Sequence, residues 1–556
     1  MKNTDTDIII VGGGPAGLML AIELGRRNIR CIIFDKDAST TINPQANATQ
    51  ARTMEYFRRL GFAEEVRTKG MPPDYPTDIA YYTTFSKYEL SRFKLPSSSK
   101  AKELIKGMGG SWSSAEPPHR VSQMYVEKVL QDQAKKLVSV DIRYHHEVIK
   151  VTDHGDHVSA ISNSGEGEKF ITGKYLVGCD GSRSIVRKTL GISLQGESSV
   201  EREFLGGHMH AVYLRAPHLY NVIRGEPAWM YVNINHNRRS FFVALDGESE
   251  FVFHAQLKPE EDKDDISETK ARAMLNECMG QKIDVEIISR SSWTAGFTLV
   301  AEKMSKGRIF IAGDAAHLFT PTGGLGYNTA IEDVVNLGWK LGAVLNGWGK
   351  TGLLKSYHYE RQPAAVRNTN YAKLFADSLG KFKADPLLED NSDCGVQLRD
   401  AAGTHFDTHS RLEFNIPGIT FGTRYDGSSI IVSDGTTPPP DQANDYEPSA
   451  CPGGRAPHLW FDLETIKPIS LYDYLGFEFT LLKFDGFREE EAKYIYNTAT
   501  DLNIPLRTVY IPCDKARALY GSNLVLIRPD QVVAWRGDSY KDGVLEALIG
   551  QEKSNP

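Results

Sequence analysis

Three aspartates, Asp35, Asp180 and Asp314, each stand at the end of a short apolar run, where a carboxylate can accept hydrogen bonds from the hydroxyls of a sugar bound at a sheet edge. Asp35 follows Cys31-Ile32-Ile33-Phe34, Asp180 follows Tyr175-Leu176-Val177-Gly178-Cys179, and Asp314 follows Ile309-Phe310-Ile311-Ala312-Gly313. Asp35 carries the most weight because of what precedes it. Ile8-Ile9-Ile10-Val11 reads as a strand buried on both faces, and Gly12-Gly13-Gly14-Pro15-Ala16-Gly17 is a GxGxxG turn that opens a helix. In such a turn Gly12 permits the tight bend, Gly14 lets the backbone approach a pyrophosphate, and Gly17 packs helix on strand, with the phosphates on the helix N-terminus. Asp35, about 20 residues past the glycines, is placed for the ribose. Strand, turn, helix, second strand and acid in order predict a bound adenine dinucleotide, and by themselves they leave FAD and NAD unseparated.

The elements that must hold these residues follow from the same patterns. After Asp180-Gly181 a helix begins, with Ser182 or Ser184 as its cap. After Asp314 comes the glycine-rich Pro321-Thr322-Gly323-Gly324-Leu325-Gly326-Tyr327-Asn328, then an apolar helical run to Leu345 whose first NH groups point at whatever lies in front. Leu325, Gly326, Tyr327 and Asn328 are expected to act mainly through backbone. Gln50–Glu55 opens a basic amphipathic helix carrying Arg52, and Ser122-Gln123 opens another, with Ser122 as a candidate cap.

The middle of the chain changes character. Residues 206–214, 229–234, 240–245 and 251–257 read as strands of a β-rich insertion, on which His210, Tyr213, Trp229, Tyr231 and His254 are candidate pocket residues. Beyond Thr437-Pro438-Pro439-Pro440, alternating strands and helices mark a separate C-terminal unit. At 556 residues with a net charge of −7, two or three domains are expected and no polyanion partner is indicated. Six cysteines without CxxC or Cys/His ligand spacing predict reduced thiols, no metal and no dithiol exchange. No stretch has the length of a membrane span, so the expectation is a cytoplasmic protein without a membrane or nucleic-acid partner.

The three Gly/Asp segments together with the loop at 321–328 resemble the class A flavoprotein aromatic hydroxylases, with the para-hydroxybenzoate hydroxylase fold. The segment Arg528-Pro529-Asp530-Gln531-Val532-Val533-Ala534-Trp535-Arg536 is similar to the thioredoxin-like C-terminal domain of the phenol hydroxylase branch. The resemblance implies an α/β fold in which a Rossmann-type FAD-binding domain (1–80, 101–200 and 295–385) carries an inserted β-rich substrate domain (81–100 and 201–294). A connector at 386–445 and a thioredoxin-like α/β domain at 446–556 complete it. It implies FAD contacts at Gly12, Gly14, Pro15, Ala16, Gly17, Asp35, Lys36, Gln45, Arg52, Gln123, Asp180, Gly181, Gly313, Asp314, Gly324, Gly326, Tyr327 and Asn328. Asn47, His210, Tyr231 and Pro321 are placed at the reacting end.

The implied activity is hydroxylation of a phenolic or related aromatic molecule through a flavin C4a-hydroperoxide, with NAD(P)H as a transient co-substrate, O₂ as oxidant and a homodimer as a possible assembly. Phenol hydroxylase has an aspartate at the position matching Asn47, and an asparagine orients a hydroxyl but does not take its proton. His210 or Tyr231 then stands as the substitute. An epoxidase or Baeyer–Villiger-type enzyme on this fold, and a non-catalytic flavin sensor or scaffold, are the alternatives; a halogenase is disfavoured by the absence of a WxWxIP segment.

Overall fold

The computed structural model describes residues 4–198, 204–265, 267–461 and 468–551. The β-branched run Ile8–Val11 forms the strand its composition predicts, buried along its whole length. It pairs in parallel with Cys31–Phe34 on one side and Tyr175–Gly178 on the other, inside a six-stranded sheet that Val140–Arg143 and Ile309–Ile311 extend in parallel and Ser305–Lys306 edges antiparallel. The helix Pro15–Gly25 crosses between the first two strands, and its glycine at 17 is obligatory, since a Cβ there would lie 2.0 Å from the Gly12 carbonyl oxygen. All three acid-ended strands therefore reach the same sheet edge.

The insertion is a seven-stranded sheet in the order 286–295, 207–215, 250–256, 239–244, 230–234, 79–82, 89–93. Four of its strands match the sequence expectation to within a residue or two. The sheet also recruits Glu286–Ala295, Ile79–Tyr82 and Glu89–Phe93, so the N-terminal contribution starts before residue 81. The expected boundary at 200 and 201 falls outside the described residues. Register assigns the faces, because paired residues share a side. Tyr81, Val232, Phe241, His254 and Ala211 lie on one face; Ala80, Tyr231, Phe242, Phe253 and Val212 lie on the other. The second face is apolar core, with the helix Glu268–Met279 against it: Asn233, on the same side as Tyr231, donates to the Cys278 carbonyl.

Residues 386–445, expected as a connector, instead contain a 22-residue helix, Asp393–Phe414. It lies on the first face of the large sheet: Phe406 stacks on Tyr81 with centroids 4.7 Å apart, and Ser410 donates to the Tyr81 hydroxyl. Lone polar runs hide such a helix from periodicity, because contact with a distant sheet supplies its stability.

The C-terminal unit is a four-stranded sheet, with Phe479–Phe484 flanked by Leu506–Ile511, parallel to it, and Leu524–Ile527, antiparallel to it, and with Val533–Gly537 at the edge, antiparallel to Leu524–Ile527. It docks on the Leu325–Leu345 helix through Phe479, which meets Trp339 and Trp348 edge-on. Beside this contact lies a dry ionic network. Arg528 binds Glu360 with both arms at 2.7 and 2.9 Å, Lys340 reaches the same carboxylate at 2.7 Å, and Asn336 donates to it at 2.7 Å. Burial opposes the charge on Glu360, but Arg528 and Lys340 prevail and hold its carboxyl well below the usual range.

Removing one member strands the others without solvent. Arg528→Leu should cost about 3–5 kcal/mol by chemical denaturation. A loss under about 1 kcal/mol, the ordinary worth of an exposed pair, would show that the network contributes nothing.

Candidate flavin site

The three aspartate segments converge on the glycine turn. Gly12 adopts φ +104°, and a Cβ on it would meet the Cys179 carbonyl oxygen at 2.2 Å, which seats the Asp180 segment directly against the turn. Gly13 donates its NH to Asp35 at 2.5 Å, so the ribose-facing acid is fixed by the turn itself. A Cβ on Gly313 would lie 3.5 Å from that of Ala16 and 3.1 Å from that of Ala330, wedging the Asp314 turn between two helix starts. Asp314 is solvent-accessible, yet protein surrounds its carboxyl closely enough that desolvation raises it above the usual range, as for a side chain projecting into a cleft. Pro15 and Ala16 open the first helix, while Lys36 is exposed beside Asp35. Gly181, at φ +76°, has open space where its Cβ would be. Ser184, not Ser182, caps the helix that follows.

A second cradle is built from three stretches distant in sequence: 45–50, 119–123 and 323–328. Ala48–Thr49 pairs with His119–Arg120, and the Gln123 NH donates to the Ala46 carbonyl at 2.7 Å. Asn328 ties the third stretch in. Its Oδ1 accepts from the Gln50 NH at 2.9 Å and the Thr53 hydroxyl at 2.7 Å, while its Nδ2 donates to the carbonyls of Ala48 and Gly324. The expectation that Asn328 works through backbone is corrected by these four side-chain bonds. Gly323 and Gly324 both have positive φ, and Gly324 begins the helix; a Cβ at Gly326 would make only ordinary contact with Phe319. The Tyr327 hydroxyl lies beside Thr49.

The polar atoms left over fit FAD. Asn47 Oδ1, Ser122 Oγ and Asp180 Oδ1 are buried and find no protein partner among the described residues. Buried polar groups in native proteins are mostly satisfied, and these three, on the segments of the turn and the second cradle, are available to a ligand's hydroxyls and amides. Ser122 occupies the helix start without capping it, which corrects its expected role. Gln123 donates its amide to Glu127, and Gln45 is exposed, with its carbonyl accepting from Asn47.

Three further positions differ from expectation. Arg52 does not face the cradle: it is buried against the C-terminal unit, donating to Glu55, Gln531 and the Asp530 carbonyl. A bidentate guanidinium was legible, but not which acceptors it would find. His210 and Tyr231 lie on the core face of the large sheet, away from Phe241 and His254. Burial lowers His210 to about 4, and the Tyr231 hydroxyl accepts from the Ala228 NH at 2.7 Å. Strand alternation permitted either face, and the helix Glu268–Met279 decided it. Pro321 is exposed at the loop rim.

Sequence reading missed Glu413 altogether. From the helix Asp393–Phe414 it accepts the Gly323 NH at 2.9 Å, with His409 at 2.9 Å behind it. It thereby holds the backbone of the glycine-rich loop in place. No local motif announces it.

A parallel sheet with its dinucleotide turn, three acids at one edge and a facing β-sheet define a flavoprotein with an inserted substrate domain. Comparison with known families agrees and narrows it. Residues 5–372 match the family described as FAD binding domain, and 449–551 match the aromatic-ring hydroxylase C-terminal domain. The chain belongs to this family of FAD-dependent monooxygenases, for which NAD(P)H is the reductant. It is 31% identical to the FAD-dependent monooxygenase apdD of Emericella nidulans, over 96% of this chain and 88% of that one. It is 28% identical to phenol 2-monooxygenase of a Pseudomonas strain, over 96% and 90%. Among solved structures it resembles the rebeccamycin biosynthetic enzyme RebC with reduced flavin (TM-score 0.86, 30% identity, 98% and 99% covered). It also resembles the flavin-dependent monooxygenase PieE in complex with FAD and substrate (0.87, 26%, 99% and 100%).

Two outcomes are expected. Gly17→Ala should purify without flavin absorbance, because its methyl displaces the turn; full FAD content would contradict the close contact. Burial pushes His119 and His254 down to about 3, below the roughly 6.5 of an unfolded histidine. The unfolded chain thus binds more protons between these values, so their contribution to stability is complete above about pH 6.5 and is lost as pH falls towards 3. A denaturation series over that window should show the decline, and His254→Gln should make it shallower.

Proposed function

We propose that the chain hydroxylates a phenolic or related aromatic small molecule, using NAD(P)H and O₂. The observation that carries this reading is the aromatic row on the sheet face opposite the helix Glu268–Met279. Phe241 stacks on His254 with centroids 4.5 Å apart, Trp293 stands edge-on to that pair, and Tyr81 closes the row beneath Phe406. Flat apolar walls of this kind favour an aromatic ring, and stacking adds about 0.5–1.5 kcal/mol per ring pair. Bound FAD supplies the redox chemistry and the activation of oxygen.

This chain's own groups orient the substrate and keep water out. His254 Nδ1 accepts from the Trp293 indole NH at 3.1 Å, which leaves the imidazole proton on Nε2. His254 is therefore a hydrogen-bond donor towards the pocket, and its low basicity keeps it neutral. The Asn47 amide can orient a ring hydroxyl through its free Oδ1. Glu413 keeps the Gly323 backbone in place. His210 and Tyr231 have no part in the reaction.

The test is NAD(P)H oxidation with a panel of phenols and fused aromatic phenols, with product mass measured alongside. Stimulated oxidation with a product one oxygen heavier is expected; no stimulation by any aromatic would overturn the reading. With an active substrate, His210→Leu and Tyr231→Phe should keep kcat/KM within about twofold, whereas His254→Phe should lower it by about tenfold or more. Equal losses at His210 would return it to the site.

A further inference from the structure

Arg120 has no carboxylate. Its guanidinium lies over the face of Trp229, 3.9 Å from the ring centroid, and no ion pair or side-chain hydrogen bond is found for it among the described residues. Five other buried arginines each face a carboxylate: Arg52 with Glu55, Arg67 with Glu116, Arg361 with Asp333, Arg455 with Glu55 and Arg528 with Glu360. Protein surrounds Arg120 so closely that desolvation alone lowers it to about 10, with no opposing charge to offset that. The residue is nevertheless only half-buried, so its donors reach open space.

Its position says which space. Arg120 pairs across the two-stranded ladder with Ala48, so the two side chains share a side. The Ala48 Cβ lies 3.4 Å from where a Cβ of Gly324 would be, in the loop at the ring end of the flavin cleft. Trp229, on the opposite wall, leads into the Met230–Ile234 strand of the large sheet. Arg120 thus reaches from the flavin cradle to the substrate sheet, across the ladder from Ala48, the residue next to Asn47. A desolvated cation held on an indole face, with its fork of NH donors free, is built to take an oxyanion.

We infer that Arg120 is a specificity-determining residue that binds an anionic oxygen, carboxylate or phenolate, on the aromatic substrate. This rests on the aromatic-substrate reading above. It also answers a need of that reading, since neither Asn47 nor His254 can take a phenol's proton, whereas an adjacent cation favours the ionised phenol.

The experiment uses the FAD-loaded enzyme and equilibrium binding read from the flavin absorption spectrum, so turnover is not required. 4-Hydroxybenzoate is compared with 4-hydroxybenzamide, and 4-nitrophenol at pH 8 with 4-nitroanisole. At least one anion should bind about tenfold or more tightly than its neutral counterpart, and Arg120→Gln should erase that difference while Arg120→Lys keeps part of it. The acid–amide pair reports a carboxylate and the nitrophenol pair a phenolate. Arg120→Gln should also keep its FAD and melt no lower than the parent, because it removes an uncompensated charge; a lowered melting temperature would indicate a structural role and count against the proposal. No anion preference in the parent, or a preference that survives Arg120→Gln, overturns it. So does a raised KM for NADPH with the anion preference intact, which would assign the guanidinium to the nucleotide phosphate. Failure of every phenol to stimulate NAD(P)H oxidation would instead count against the hydroxylase reading.

Discussion

The structure depends on one buried carboxylate, Asp333. It has no solvent exposure, and it satisfies three partners at once: the Gly313 NH at 3.2 Å, His317 Nε2 at 2.7 Å and Arg361 Nε at 2.8 Å. Burial opposes its charge, but His317 and Arg361 outweigh it and lower the carboxyl. Through Gly313 it fixes the turn that carries Asp314; through Arg361 it joins the Thr351–Gly380 helix. Glu360, the next residue on that helix, receives Arg528 from the C-terminal unit. Asp333, Asn336 and Lys340 fall on one face of their helix, at spacings of three and four, so a single helix face carries the connection. The flavin cleft and a domain some 200 residues away in sequence are therefore held by the same dry polar seam.

Such a seam brings little net stability over apolar packing, because desolvation consumes most of the attraction. What it supplies is geometry. Each charge has one arrangement in which every donor and acceptor is met, and any displacement of the C-terminal sheet leaves several unmet. This gives the thioredoxin-like domain a role without a CxxC pair: Arg528, Asp530 and Gln531 act as fixed partners for Glu360, Asn336 and Arg52. Arg52, expected among the FAD contacts, is engaged here instead.

Local physics was legible in the sequence, and long-range partnership was not. The turn at Gly12–Gly17 and the acids at 35, 180 and 314 could be placed because each depends on a few neighbouring residues: a β-branched run, a glycine that admits no Cβ, a strand end. Four substrate strands were read to within a residue or two for the same reason. Strand alternation then left two faces, and only tertiary packing chose between them, which is why His210 and Tyr231 fell on the core side and His254 on the other. Glu413 and the helix that carries it were illegible because their meaning lies entirely in contact with Gly323 and Tyr81. Asn328 reads locally as a helix-start residue, but three of its four bonds go to a strand and a helix start nearly 280 positions earlier.

The exception to satisfaction is the informative part. Across this interior, buried charge is matched almost everywhere, at Glu55, Glu116, Asp333 and Glu360 alike. Arg120 is an exception among these charges, and near it the hydroxyl of Ser122 and the amide oxygen of Asn47 are also without a protein partner among the described residues. A free cation beside free acceptors, on the line between the flavin cradle and the substrate sheet, suits an aromatic ligand bearing negative charge. Stability has been forgone along that line, and recognition is the physical reason for leaving it open.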